Sequence, residues 1–262
     1  MRPLLTAELL TLWEQGLSQT SIQRSLALLA AACPDLSPEQ VRQLTVGQGD
    51  RLLLTLREQL FGSQLVSVAV CPACGDRLEL NFSVDEIRLP VAEVPETIAV
   101  DQGEYQIQLR LPTRLDLATI TQGQASTLSD LRRRLLERCL VKVQPEQANR
   151  EGRLMTEDLP ADLPTDLPTN WPEDLMQAIA TQLAAADPQA DIQLDLACPV
   201  CGHRWQAAFD IGTFLWSEIH AWALRLLREV HGLASAYGWS EAAILGMSAQ
   251  RRQWYLEMAG SL

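Results

Sequence analysis

Two copies of one pattern, Cys71-Pro72-Ala73-Cys74-Gly75 and Cys198-Pro199-Val200-Cys201-Gly202, stand 127 positions apart and constrain the fold more than anything else in the chain. A C-P-x-C-G turn aims two thiolates at one point while its backbone N–H groups face the sulfurs. Two such turns supply the four tetrahedral ligands of a structural zinc, so Cys71, Cys74, Cys198 and Cys201 are the candidate metal ligands.

The match continues beyond the cysteines, because Gly75, Leu78, Phe82 and Val84 fall at the same offsets as Gly202, Trp205, Phe209 and Ile211. Each turn is flanked by β-rich stretches, 66–70 with 78–80 and 192–196 with 205–209, which read as a hairpin with a knuckle at its tip. Two such units sharing a metal make a zinc ribbon, here split by 123 residues between Cys74 and Cys198. Other chemistries use the same residues. An iron–sulfur cluster takes four thiolates, two disulfides would consume them, and a C-x-x-C serves as a redox dithiol when it opens a helix after a strand. His203 follows the second knuckle directly, where it either replaces a ligand, donates a hydrogen bond to one, or stands exposed as a bystander.

The remaining cysteines read as packing residues. Cys139 continues the helical stripe Leu128, Leu131, Leu135, and Cys33 ends an apolar run. This usage fits a reducing cytoplasm better than a secreted disulfide framework.

With 262 residues and 47% hydrophobic content the chain can bury a substantial core. It carries no signal-peptide pattern and no apolar run of the roughly 18 to 20 residues a membrane span needs. Its formal charge of −12 opposes general affinity for nucleic acid. Half of that charge lies between Gln144 and Leu175, where eight acids face Arg150 and Arg153. Asp-Leu-Pro recurs there at 158, 162 and 166, and proline at that interval prevents a regular helix or central strand. The piece reads as a solvated linker, with an acidic docking strip as the alternative.

The periodicity divides the chain into six segments. Residues 1–62 form an N-terminal helical region, with helices at 4–13, 22–32, after the Ser37-Pro38-Glu39-Gln40 capping signature, and at 50–61 before Gly62. Residues 63–90 hold the first knuckle hairpin. Residues 91–143 hold a hairpin around Asp101-Gln102-Gly103, then helical pieces from Leu111-Pro112-Thr113 to Leu140. Residues 144–171 are the acidic linker, and 172–212 hold a helix, closed by Asp187-Pro188, and the second knuckle hairpin. Residues 213–262 form a C-terminal helical region, with a long amphipathic helix to Tyr237, a break at Gly238, and two short helices after Ser240 and Ser248. The expected class is α+β, with helical N- and C-terminal regions around a split four-cysteine zinc ribbon built from two β-hairpins.

The C-terminal helices carry equal numbers of acids and bases and so lack the cationic footprint of a DNA-reading helix-turn-helix. Trp239, Arg251, Arg252 and Tyr255 form the candidate partner-binding cluster, since aromatic residues and arginine dominate interface hot spots. His220 and His231 lie about 16 Å apart on one helix and cannot share a metal. No nucleophile elbow, P-loop, zinc-protease or dinucleotide fingerprint occurs.

The order of these parts resembles T-even-type phage baseplate hub assembly chaperones or baseplate proteins, whose relatives occur with contractile phage-tail-like injection systems. The residues that carry the resemblance are 52–62, both knuckles, Leu111-Pro112-Thr113 with Asp116-Leu117, 136–139, Asp187-Pro188, 209–211, 214–216, Glu229-Val230-His231, and the ending from Tyr237 through Trp239, Ser248, Arg251-Arg252 and Tyr255-Leu256. It implies a non-enzymatic part in building a contractile tail, with baseplate or hub proteins as partners and no nucleic acid or membrane insertion. The alternatives are a zinc-ribbon DNA-binding regulator and a C-x-x-C thiol oxidoreductase.

Overall fold

A computed structural model describes residues 1–90, 94–102, 105–121, 127–145 and 173–260. These sort into two compact units, one built from 1–38, 52–63 and 210–262, the other from 39–51 and 64–209.

The first unit is helical. Helices α1 (Thr6–Gly16) and α2 (Ser21–Ala32) pack with the long helix α9 (Ile211–Tyr237), the second half of α4 (Val46–Phe61) belongs to the same unit, and α10 (Glu241–Leu245) and α11 (Ala249–Ala259) fold back on α9. Helix α9 starts two residues before the expected position because Asp210 caps it, accepting from the amides of Gly212 and Thr213. Its buried stripe is Leu215, Ile219, Ala223, Leu226, Val230 and Leu233. Trp222 is only half-buried, and Ala223 takes the inward position against the core. The N- and C-terminal helices are also pinned by polar contacts. Arg57 makes a two-pronged ion pair with Glu218 at 2.7 and 2.8 Å, and Trp13 Nε1 donates to His220 Nδ1 at 3.0 Å.

The second unit contains the three sheets found among the described residues. The outer two are hairpins, β1 (Gln64–Val70) with β2 (Arg77–Ser83), and β6 (Gln193–Ala197) with β7 (Arg204–Ala208). Between them in sequence lies an antiparallel sheet of β3 (Ile98–Gln102), β4 (Tyr105–Leu109) and β5 (Leu140–Pro145). Strand β5 is a correction to the sequence reading, which ran a helix to Leu140 and opened a linker at 144. The chain instead leaves helix α7 (Leu128–Cys139) directly into the strand. The alternation Leu140, Val141, Lys142, Val143 is too short to stand out beside the preceding helix.

Helix α7 and helix α8 (Glu173–Ala186) cover this sheet, burying Val100, Ile107, Leu109, Leu136, Cys139, Leu175 and Ile179 together. Cys139 is a core residue as expected and Leu135 of its stripe packs against that core, but Leu128 is 65% exposed and Leu136 takes the inward position. The Asp-Leu-Pro repeat lies outside the described residues.

A buried carboxylate organises the bend between β4 and helix α6 (Arg114–Thr121). Asp116 accepts from the Thr113 amide at 2.9 Å and its hydroxyl at 2.8 Å, from Arg110 at 2.6 and 2.9 Å, and from Arg138 at 2.8 Å. Burial raises its pKa, but the Arg110 guanidinium, the two Thr113 donors and Arg138 outweigh that and hold it well below the usual carboxylate range. A short helix α3 (Pro38–Gln43) precedes the first turn of α4, where the next buried acid, Asp187, receives the Gly47 amide. After Asp187 a 3₁₀ turn at Pro188–Ala190 presents Gln189, whose side chain accepts from the Leu89 amide and donates to the Ile87 carbonyl. That bond joins the second hairpin's approach to helix α5 (Val84–Ile87), which follows the first hairpin.

Candidate metal centre

Each knuckle is built by the same local rules. The Cys71 amide donates to the Asp76 carbonyl at 2.8 Å and the Gly75 amide to the Cys71 carbonyl at 2.9 Å. The second knuckle repeats both, Cys198 to His203 at 2.8 Å and Gly202 to Cys198 at 2.9 Å. Gly75 and Gly202 have φ of 77° and 73°, the left-handed backbone that closes each turn and that glycine adopts without a Cβ penalty. The offset match read from sequence is thus a repeated conformation.

The strands carry these turns tip to tip. Leu78 pairs with Ala69 on one hairpin and Trp205 with Leu196 on the other. Leu78 and Trp205 pack with Cys71 and Cys198 into one apolar cluster. Lower down, Phe82 and Phe209 meet edge to face with centroids 5.5 Å apart. The two matched pairs of the sequence pattern are therefore the residues that hold one hairpin against the other.

All four sulfurs lie within 4.8 Å of one another. Cys71 Sγ is 3.7 Å from Cys201 Sγ, and Cys74 Sγ is 3.6 Å from Cys198 Sγ. A tetrahedron of metal–sulfur bonds of about 2.3 Å has edges of about 3.8 Å. The same distances are far beyond a sulfur–sulfur bond of about 2.05 Å, so the disulfide alternative does not fit. A multi-iron cluster would place several atoms between the thiolates, and a quartet this tight closes on a single ion. The quartet fits one tetrahedral metal, with no position left for a substrate.

Burial and backbone amides shape the sulfurs. Cys71 and Cys198 are 1% and 3% exposed, whereas Cys74 and Cys201 face solvent. Burial works to raise the Cys71 pKa, but amides of Cys74 and Ala73 and the neighbouring thiols bring it down to about 7. The Asp76 amide works to lower Cys74, yet hydrogen-bond sharing with Cys201, burial, and sharing with Cys71 and Cys198 push it up to about 12. Four converging thiols cannot all ionise unaided. A divalent cation held by the four would supply the charge that permits it.

His203 is not a ligand. Its ring is exposed and stacks on Trp205 at 5.9 Å, and its amide points at Cys201 as that of Asp76 points at Cys74. A dithiol oxidoreductase opens a helix with its C-x-x-C, and both pairs here sit at hairpin tips.

The candidate docking cluster separates into different environments. Tyr237, Trp239 and Tyr255 pack on one another, with Tyr237 and Trp239 stacked at 4.5 Å, so most of the aromatic surface is spent inside the unit. Arg252 is 5% exposed, donates to Glu229 at 2.9 Å and to the Met247 carbonyl at 2.7 Å, and is thereby removed from any docking surface. Arg251 is exposed over the Tyr255 ring at 5.7 Å. The sequence reading missed Trp254, 57% exposed, and Met258, 51% exposed, whose i, i+4 spacing puts them on one outer face of α11.

No helix among the described residues is long and apolar enough to cross a membrane. Comparison with curated proteins and with solved structures finds no significant match. The family described as T4 bacteriophage base plate protein matches residues 2–216, which takes in α1 to the start of α9 and both knuckles but not the Trp239 to Tyr255 ending. This chain belongs to the T4 bacteriophage base plate protein family.

Proposed function

We propose that this chain is a non-enzymatic baseplate component, or a chaperone of baseplate assembly, in a contractile phage-tail-like particle, and that Cys71, Cys74, Cys198 and Cys201 hold a structural zinc. The observation that carries the reading is a closed all-sulfur quartet inside a chain of the baseplate family. Structural zinc sites are closed by four protein ligands, whereas catalytic ones keep a position open. The zinc joins two cysteine pairs separated by 123 residues and so turns metal binding into folding stability of the second unit.

Its partners are baseplate or hub proteins of the tail. In the C-terminal helical region, Arg251 with the exposed edges of Tyr255 and Trp239 forms the contact, extended by Trp254. An exposed tryptophan beside arginine and tyrosine has the composition of a binding hot spot.

Deleting the chain from a host that makes the particle tests the reading. Loss of particles with complete baseplates is expected, and normal particle yield would overturn it. Probing purified particles for the chain then separates a resident component from an assembly chaperone that departs.

A further inference from the structure

The facing flanks of the two knuckle hairpins leave an open groove of about 700 Å³, lined by residues 79–82 of β2, by 192–196 around β6, and by the α5 turn. Among the described residues strand β2 pairs only with β1, and β6 only with β7, so each turns an edge of unpaired N–H and C=O groups to this side. Both strands alternate in step with the pleat. Leu80, Phe82, Leu194 and Leu196 are half-buried, while Glu79, Asn81, Gln193 and Asp195 are exposed.

The charge of the groove is one-sided. Four carboxylates line it, Glu79, Glu86, Asp191 and Asp195, and among the described residues no lysine or arginine does. Among the described residues none of the four is ion-paired. Glu86 accepts from the Ser83 amide, Asp191 from Gln193 and Asp195 from Gln206, all neutral donors.

We propose that this groove takes an extended, lysine- or arginine-bearing segment of a partner protein as an added β-strand. Backbone groups of the segment pair with a free edge, its alternate apolar side chains rest on the half-buried leucines and Phe82, and the intervening cations meet the carboxylates. An acidic or helical segment meets neither requirement. The proposal concerns a surface in the second unit, apart from the helical face assigned above, and does not depend on the baseplate reading.

The test uses the full, zinc-loaded chain and a short synthetic peptide alternating Lys with Val, compared with a Glu-for-Lys version and one with proline at the central valines. Binding of the Lys-Val peptide is expected, with amide shifts concentrated at 79–82 and 192–196, and loss of binding for the other two. The double variant Glu79→Lys, Asp195→Lys, at two exposed positions, is expected to bind at least about tenfold more weakly with its metal content unchanged. No binding of the Lys-Val peptide, or equal binding of the proline version, overturns the proposal. The peptide comparison needs no variant, so it decides the matter even if the double substitution misfolds.

Discussion

The Gly47 amide donates to the buried Asp187 carboxylate at 2.9 Å, joining the first turn of α4 to the end of α8 across 140 residues of sequence. A Cβ at position 47 would stand 1.9 Å from Asp187 Oδ1 and 3.0 Å from the Ala190 amide, so the approach needs a residue without one. Gly47→Ala is expected to cost about 1 to 3 kcal/mol, an overpacking penalty, although alanine favours the helix intrinsically. Chemical denaturation checks it. A neutral or stabilising result would mean that the contact yields to the methyl group.

Asp116 gives the chain an acid-sensitive joint. Its pKa is depressed in the folded state by Arg110, Thr113 and Arg138, so the stabilisation is fully present above the ordinary carboxylate pKa near 4 and disappears as pH falls through the lower folded value. Asp116→Asn is expected to destabilise by about 3 kcal/mol at neutral pH, the lower end for a broken buried pair because both arginines are about a third exposed, at 35% and 36%. The gap between variant and wild type should narrow below about pH 4. Parallel melts at pH 7 and pH 3 measure it, and a constant gap would show that Asp116 acts through shape rather than charge.

Much of the site was legible because it is local. A C-P-x-C-G turn carries its own conformation, and the matched offsets singled out Leu78, Trp205, Phe82 and Phe209, though not that they meet across the two hairpins. Helix starts were legible at Ser240 and Ser248, where the capping serine was recognised, but not at Asp210, whose cap on α9 went unread. Strand β5 was not, since its pairing partner lies more than thirty residues away and only that partner distinguishes it from a frayed helix end. The roles of Asp116 and Asp187 were also invisible. A single acid looks solvated until the fold shows what surrounds it, and Arg252 was placed in the docking cluster for the same reason.

Removing one sulfur should dismantle the ribbon and spare the helices. Cys198→Ser is expected to abolish stoichiometric zinc and to strip hydrogen-exchange protection from β1, β2, β6 and β7, while α9, with its own buried stripe and the Arg57–Glu218 pair, keeps its protection. Chelation of the wild-type protein should reproduce the pattern. Zinc retained by the variant, or uniform loss of protection including α9, would show that the hairpins and helices do not behave as separate units.

Adjacent arginines on α11 offer the last contrast. Arg252→Ala leaves Glu229 without its cation and the Met247 carbonyl without a donor, in a site where the guanidinium is 6% exposed, and is expected to cost about 1 to 3 kcal/mol. For a protein of this size that is a fall in Tm of roughly 2 to 12 °C. Arg251→Ala, exposed over Tyr255, should stay within about 0.5 kcal/mol of wild type and reduce particle assembly instead. Melting curves and particle counts on the same two variants separate support from docking. If Arg252→Ala melts as the wild type does, its ion pair is not holding α11 to α9, and if Arg251→Ala assembles normally, the docking face lies elsewhere.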